Sequence, residues 1–177
     1  MRLQLRPPVS SDLPAIIAMW ERCSLATRIA RFHAPVREIP AAYLNTVLSN
    51  PSTSLIAAPG YADAVAALAS LIPGSGSSAE LGVLVEDAWQ RHGIGRQLVA
   101  HLIAAASARH ITELTASVLA QNVNVAELLR QVPGDYFFTC HGTSVNVRVR
   151  LASPGPGPQR EPAADRCSTR TPAASPS

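Results

Sequence analysis

Lysine is absent from this chain; all 15 basic residues are arginine. The protein therefore offers no side-chain amine to be acylated. A nucleotide P-loop is excluded too, because G-x-x-x-x-G-K followed by Ser or Thr needs that lysine. With the abundant alanine, the arginine bias resembles coding from a GC-rich bacterial genome. Cysteine is scarce and odd in number: Cys23, Cys140 and Cys167 lie far apart with no C-x-x-C pair. That argues against a disulfide framework or a zinc site, and for free thiols in a reducing compartment. His33, His101, His110 and His141 have no metal-ligand spacing, so no metal is expected. No apolar run reaches the ~18–20 residues of a membrane span, and the N-terminal MRLQLRPPVS lacks a signal-peptide core. A cytoplasmic protein with no membrane partner is the expectation. The net charge of +3 is spread along the chain rather than gathered into a stripe, which disfavours a nucleic-acid partner.

What is present is a core. The 177 residues are 47% hydrophobic, the size and composition of one folded domain. The composition breaks at about Ala152. From 152 to 177 the chain carries Pro154, Pro156, Pro158, Pro162, Pro172 and Pro176, and this stretch is expected to be a disordered tail behind a domain of residues 1–151.

Strand and helix signals alternate through that domain. Arg2 to Arg6 reads as a strand closed by Pro7 and Pro8. Ser11 or Asp12 is placed to cap a helix whose apolar face is Leu13, Ile16, Ile17 and Trp20. Short helices are expected over Ser24 to Phe32 and Ile39 to Leu48. Strands follow at Ser54 to Ala58, Val65 to Ile72 and Ala79 to Val85. A helix over Gly93 to His110 presents Ile94, Leu98, Leu102 and Ile103 inward. Then come a strand over Glu113 to Leu119, a helix over Val123 to Gln131, and strands over Tyr136 to Cys140 and Ser144 to Leu151. This order implies an α/β (α+β) domain on a mixed sheet.

The chemistry concentrates at Gln90-Arg-His-Gly-Ile-Gly95-Arg96, between a strand and a helix. The first N–H groups of a helix lack intrahelical partners and its N-terminal end carries partial positive charge. Gly93 and Gly95 allow close approach to the backbone, and Arg91 and Arg96 add formal charge. Such a turn binds a diphosphate or a similar dianion. The same stretch is also compatible with an ordinary glycine-bearing helix cap. A dinucleotide fingerprint would need glycine at Leu98 and fails.

The pattern Q/R-x-x-G-x-G/A after a strand resembles the coenzyme A loop of the GNAT acyltransferase superfamily. The preceding Ala79-Glu-Leu-Gly-Val-Leu-Val resembles that family's fourth strand, and Val118-Leu-Ala-Gln-Asn122 its second motif. Glu21-Arg-Cys-Ser24 and Arg28-Ile-Ala-Arg-Phe-His33 resemble bacterial GNAT domains related to protein lysine acetyltransferases. The resemblance implies a GNAT fold: a central, mixed, twisted sheet of about six to seven strands, flanked by helices and splayed at a bulge in the fourth strand.

It also implies acetyl-CoA as cosubstrate. The diphosphate would sit on Gln90, Arg91, His92, Gly93, Ile94, Gly95 and Arg96. The pantetheine amides would pair with backbone groups of Val83, Leu84 and Val85, and Asn122 would lie beside the thiol.

Glu80 interrupts an apolar strand, so partial burial and a raised pKa are expected. It is the best-placed carboxylate to deprotonate an amine. Glu86 and Asp87 are expected to be solvated, and His92 to assist the anion or face solvent. Arg28, Arg31 and Phe32 are placed to line an acceptor cleft. The tyrosine acid common in the family falls at Leu129, so none is available there; Tyr136 would need a shifted turn. The activity implied is transfer of an acetyl group to a primary amine, on a protein lysine or a small molecule, by a monomer or homodimer. Alternatives are a non-catalytic acyl-CoA-binding module, or an aminoglycoside-type resistance enzyme, the last disfavoured by only 12 scattered acidic residues.

Overall fold

The computed structural model describes residues 3–60, 64–120, 122–130 and 132–152. Its elements run β1 (Leu3–Arg6), α1 (Leu13–Arg22), α2 (Leu25–Phe32), α3 (Ala41–Ser49), β2 (Ser54–Pro59), β3 (Ala67–Pro73), β4 (Ser78–Val85), α4 (Ile94–Ala108), β5 (Glu113–Leu119), α5 (Val123–Leu129), β6 (Gly134–His141) and β7 (Ser144–Leu151). The order is the one expected from the sequence. The tail beyond residue 152, with Cys167, lies outside the described residues.

The strands form one seven-stranded sheet in the order β1-β2-β3-β4-β5-β7-β6. Every pairing is antiparallel except β4 with β5. β3 is buried from Ala67 through Leu71, because helices cover both of its faces; this is why its sequence shows no clean alternation. On one face Ala67, Ala69, Leu71, Ala79 and Leu81 pack against Leu98 and Leu102 of α4. On the other, Leu68 and Leu84 pack against Ile16, Met19 and Trp20 of α1 and Val47 of α3. Each fully buried leucine, isoleucine, valine or methionine among them contributes about 1.5–3 kcal/mol.

Two local expectations are corrected. The buried face of α1 is Ile16, Met19 and Trp20, continued by Cys23, while Ile17 is 40% exposed. The helix is rotated so that spacings of three, four and seven residues from Ile16 meet the sheet. Asp12 makes no side-chain cap to α1. Its carboxylate instead accepts from the Val9 N–H (2.7 Å) and from both terminal nitrogens of Arg6 (2.7 and 2.6 Å), tying β1 to the helical turn before α1.

The Arg6 hydrogen bond is the largest influence on Asp12 and holds its carboxyl below the ordinary value, against burial and with help from the Val9 N–H. A carboxyl whose pKa is lower folded than unfolded stabilises the fold above the unfolded value of about 3.9. That stabilisation is lost as pH falls through the folded value. Asp12→Asn should therefore lower the melting temperature at about pH 7. The gap to the parent protein should close as melts are repeated at pH values descending through about 4. A gap independent of pH would show that the carboxylate's charge contributes nothing.

Candidate active site

The cleft exists because the sheet divides. β4 stays in unbroken register with β3, from Ala67 opposite Val85 to Pro73 opposite Ala79. β5 stays in register with β7 along its whole length. Among the described residues, β4 and β5 pair in register only at Ser78, Ala79 and Glu80, opposite Glu113, Leu114 and Thr115, with Ser77 just before them accepting from the N–H groups of Thr112 and Glu113. The bulge expected in β4 is absent. The splay comes instead from β5 following β7 away from β4.

In an antiparallel ladder, successive residues point their N–H and C=O to opposite neighbours. The Glu86 N–H donates to the Ala66 carbonyl on the β3 side (3.0 Å). By alternation, Leu84 also faces β3, opposite Leu68, while Val83 and Val85 face the gap. The Val85 carbonyl is already taken by the Gln90 side-chain amide (3.1 Å). Among the described residues, both backbone groups of Val83 and the N–H of Val85 remain without a partner. Leu84, expected among the cofactor groups, has its backbone on the ladder and its side chain in the core.

At the end of β4 the chain turns into α4. Arg91 (φ 63°) and Gly93 (φ 78°) adopt the left-handed conformation, and Gly93 caps the helix. The first helical bond is from the Gln97 N–H to the Gly93 carbonyl (3.2 Å). Among the described residues, no acceptor takes the N–H groups of residues 94 to 96. Arg91, His92 and Arg96 are exposed around them, and the His92 Nδ1 lies 2.8 Å from the Gln90 carbonyl oxygen. The Ile94 side chain is in the core, so only its backbone serves the turn. A Cβ on Gly95 would meet Leu128 of α5 at 3.6 Å and Val83 at 3.9 Å, so this glycine sits at the wall between the turn and the gap.

Two connected cavities follow this path. One of about 720 Å³ runs from Arg91 and Gly95 past Val85 and Val83 to Asn122. A second of about 260 Å³ continues to Glu80, Arg31, His33 and Ser117. Asn122 lines both, and its Oδ1 accepts from the Val125 N–H (3.4 Å), starting α5.

The loop carrying the turn is braced from across the molecule. Glu86 is buried and accepts from an Arg22 terminal nitrogen (2.8 Å), contrary to the expectation of a solvated side chain. Asp87 accepts from the Ser24 N–H (2.8 Å), Ser24 Oγ (2.7 Å) and Thr27 Oγ1 (2.9 Å) at the start of α2. Burial pushes the Asp87 carboxyl up, but these hydrogen bonds outweigh it and hold its pKa below the ordinary value. Gln90 completes the brace, donating to Thr27 Oγ1 (3.1 Å), so its side chain positions the loop instead of facing the cavity freely. None of these partners was visible in sequence, since about 60 residues separate them. Burial in this region also pushes the Cys23 thiol up to about 11, which keeps it unreactive.

Glu80 is exposed, and this overturns the expected burial. Its side chain shares a face with Gly82 and Leu84, but the α1–α3 layer covers Leu84 and does not extend over Glu80. Its candidacy as a base rests on position, at the rim of the smaller cavity beside the last β4–β5 pair.

Arg28 is not in the cleft. It donates to the carbonyls of Cys23 and Glu21 (3.0 Å each) and stacks on Trp20. Arg31 and Phe32 do line it. The structure adds His33, whose Nδ1 lies 3.3 Å from Ser117 Oγ; no sequence signal marked Ser117.

Leu129 is buried, and Tyr136 cannot replace the missing acid. Its hydroxyl is held by the carbonyls of Leu129 (2.8 Å) and Val132, and burial raises its pKa. Among the described residues, no group of three or more His, Cys, Asp or Glu could hold a metal, and no helix is long and apolar enough to cross a membrane.

A family model described as "Acetyltransferase (GNAT) family" matches residues 16–132. Solved structures share the fold. The GNAT domain of PAT from S. lividans superposes with a TM-score of 0.72 at 21% identity, over 84% of this chain and 90% of that one. A phosphinothricin acetyltransferase from Sinorhizobium meliloti, solved with acetyl-CoA, gives 0.67 at 17%, over 94% and 98%. The PaiA N-acetyltransferase of Thermoplasma acidophilum, solved with coenzyme A, gives 0.63 at 16%, over 85% and 100%. No curated protein matches the chain by sequence.

Proposed function

Because this chain belongs to the GNAT acetyltransferase family, we propose that it transfers the acetyl group of acetyl-CoA to a primary amine, on a small molecule or a protein lysine. The observation that carries the reading is the splayed β4. Its unpaired backbone leads directly to the bare N–H groups at the start of α4. The residues present fit the cosubstrate. N–H groups 94 to 96, with Arg91 and Arg96, supply donors and charge for a diphosphate. Val83 offers one N–H and one C=O to the amides of the pantetheine arm, as an added strand would. A cavity of about 720 Å³ is large enough to bury that arm.

Acetyl-CoA supplies an acyl thioester, whose C–S bond breaks as the amine nitrogen forms the new C–N bond. Glu80 takes the proton that an alkylammonium, with a pKa near ~10.4, must lose before it can attack. Val83 and the residues of the α4 turn fix the donor so that attack occurs from a defined direction. Asn122 holds the start of α5 against the same cavity.

Purified protein should be stabilised against heat by acetyl-CoA, and should release free thiol from it only when an amine is added. Stabilisation without amine-dependent thiol release across a broad amine panel would leave an acyl-CoA-binding module in place of an enzyme.

A further inference from the structure

The smaller cavity is lined by an arginine that forms no ion pair among the described residues. Arg31, on α2, lays its guanidinium across β4 at Gly82, where a Cβ would stand only 2.2 Å from its Nη2 and 2.6 Å from its Cζ. Its Cζ lies 4.8 Å from the Phe32 centroid and 4.7 Å from that of Tyr43, two rings set nearly perpendicular to each other. Its Nε is buried and has no hydrogen-bond partner. Among the described residues no carboxylate pairs with it. Ring faces favour a cation but accept no in-plane hydrogen bond, so the donor edge of the guanidinium is left unmatched.

A half-buried arginine that lines a cavity and pairs with no carboxylate suits a carboxylate ligand, which accepts N–H bonds from it. Gly82 shares the α1–α3 face of β4 with Leu84, and Arg31 lines both the smaller cavity and the larger one that runs to the α4 turn. Glu80 lies two residues from Gly82 on the same face, about 7 Å along the strand. The cleft thus presents a cation and an anion on one face of β4, as the two ends of a zwitterion would require.

Resting on the acetyl-transfer reading above, we propose that Arg31 is an anion subsite for the acceptor, and that the acceptor is an amine bearing a carboxylate, of the amino-acid class. The carboxylate docks on Arg31, and the amine is directed toward Glu80 and the gap in the sheet. Gly82 is the glycine that admits the guanidinium.

The test compares free amino acids, including β-alanine and γ-aminobutyrate, with their carboxamides at fixed acetyl-CoA. The carboxamide of an α-amino acid has the less basic, more available amine, so intrinsic reactivity favours the amide. A preference for the acid therefore reports the subsite. Some acid should be preferred at least tenfold in kcat/KM, through KM. Arg31→Met should collapse that ratio toward one, Arg31→Lys should restore part of it, and Gly82→Ala should reproduce the collapse by displacing the guanidinium.

Equal loss on acid and amide, or no acid preference in the parent protein, would overturn the proposal. So would a tenfold loss of acetyl-CoA affinity in Arg31→Met, which would place Arg31 on the cosubstrate. An Arg31-dependent preference for succinyl-CoA over acetyl-CoA would move the carboxylate to the acyl group, and would also overturn it. If no amine is acetylated at all, the transferase reading fails separately. Calorimetry of N-acetyl amino acids against their amides, titrated into CoA-loaded protein, then decides the subsite, and equal or absent binding sinks it.

Discussion

Glu80→Gln should lower kcat with an alkylamine acceptor by at least ~100-fold, the lower end of what a general base contributes. Glutamine preserves the shape of the side chain and removes the proton acceptor. Glu80 is exposed at the cleft rim, with its backbone on the β3 side of the strand, so the exchange disturbs neither the core nor the gap. Acetyl-CoA affinity should stay within about threefold, since the turn and Val83 are untouched. The loss should be much smaller with an acceptor already neutral at pH 7, such as an arylhydrazine, because no proton then needs removing before attack. Steady-state kinetics on the two acceptors separate the cases. An equal fall on both would make Glu80 a positioning residue, and a normal kcat on the alkylamine would end its candidacy. Attack by the small neutral fraction of the amine would then suffice.

Gly95→Glu should weaken acetyl-CoA binding by about 30-fold, ~2 kcal/mol, read by calorimetry. Gly93 is the poorer probe: its φ of 78° strains any side chain, and strain would be confused with repulsion. Gly95 lies in the first turn of the helix, and the nearest atoms a Cβ there would meet are those of Leu128 and Val83 at ordinary contact distances of 3.6 Å and more, so the substitution is expected to leave the fold intact. A carboxylate at this position sets a negative charge against the bound diphosphate beside the bare N–H groups of residues 94 to 96. Gly95→Ala separates bulk from charge, since only the charge component weakens when salt is raised. Equal affinities for Gly95→Glu and Gly95→Ala would remove the diphosphate from this turn.

Much of the site was legible in sequence because its machinery is backbone, and backbone leaves local marks. A strand running into Gly93-Ile-Gly95 at the start of a helix announces free N–H groups wherever it occurs. The order of strands and helices was legible for a similar reason: each element is set by a few neighbouring residues and its flanking prolines or glycines. Side-chain environments were the weak point. Glu80 reads as buried because its sequence neighbours are apolar, but Ala79 and Leu81 point to the opposite face of the sheet. Whether Glu80 itself is covered depends on how far α1–α3 extend, which no window of sequence contains.

The sequence by itself determined the family, the location of the glycine-bearing turn into α4 and the absence of a tyrosine at Leu129, since each rests on residues adjacent in the chain. Only the tertiary structure decided where the sheet opens, because that depends on β4 following β3 while β5 follows β7, a pairing made across the intervening α5 and β6. It decided that Glu86 and Asp87 brace the loop through Arg22, Ser24 and Thr27, and that Arg28 faces away while Arg31 reaches Gly82. Charge, exposure and pairing are properties of what packs against a residue. In this fold the decisive neighbours of the cleft come from α2, far from β4 in sequence and in contact with it in space.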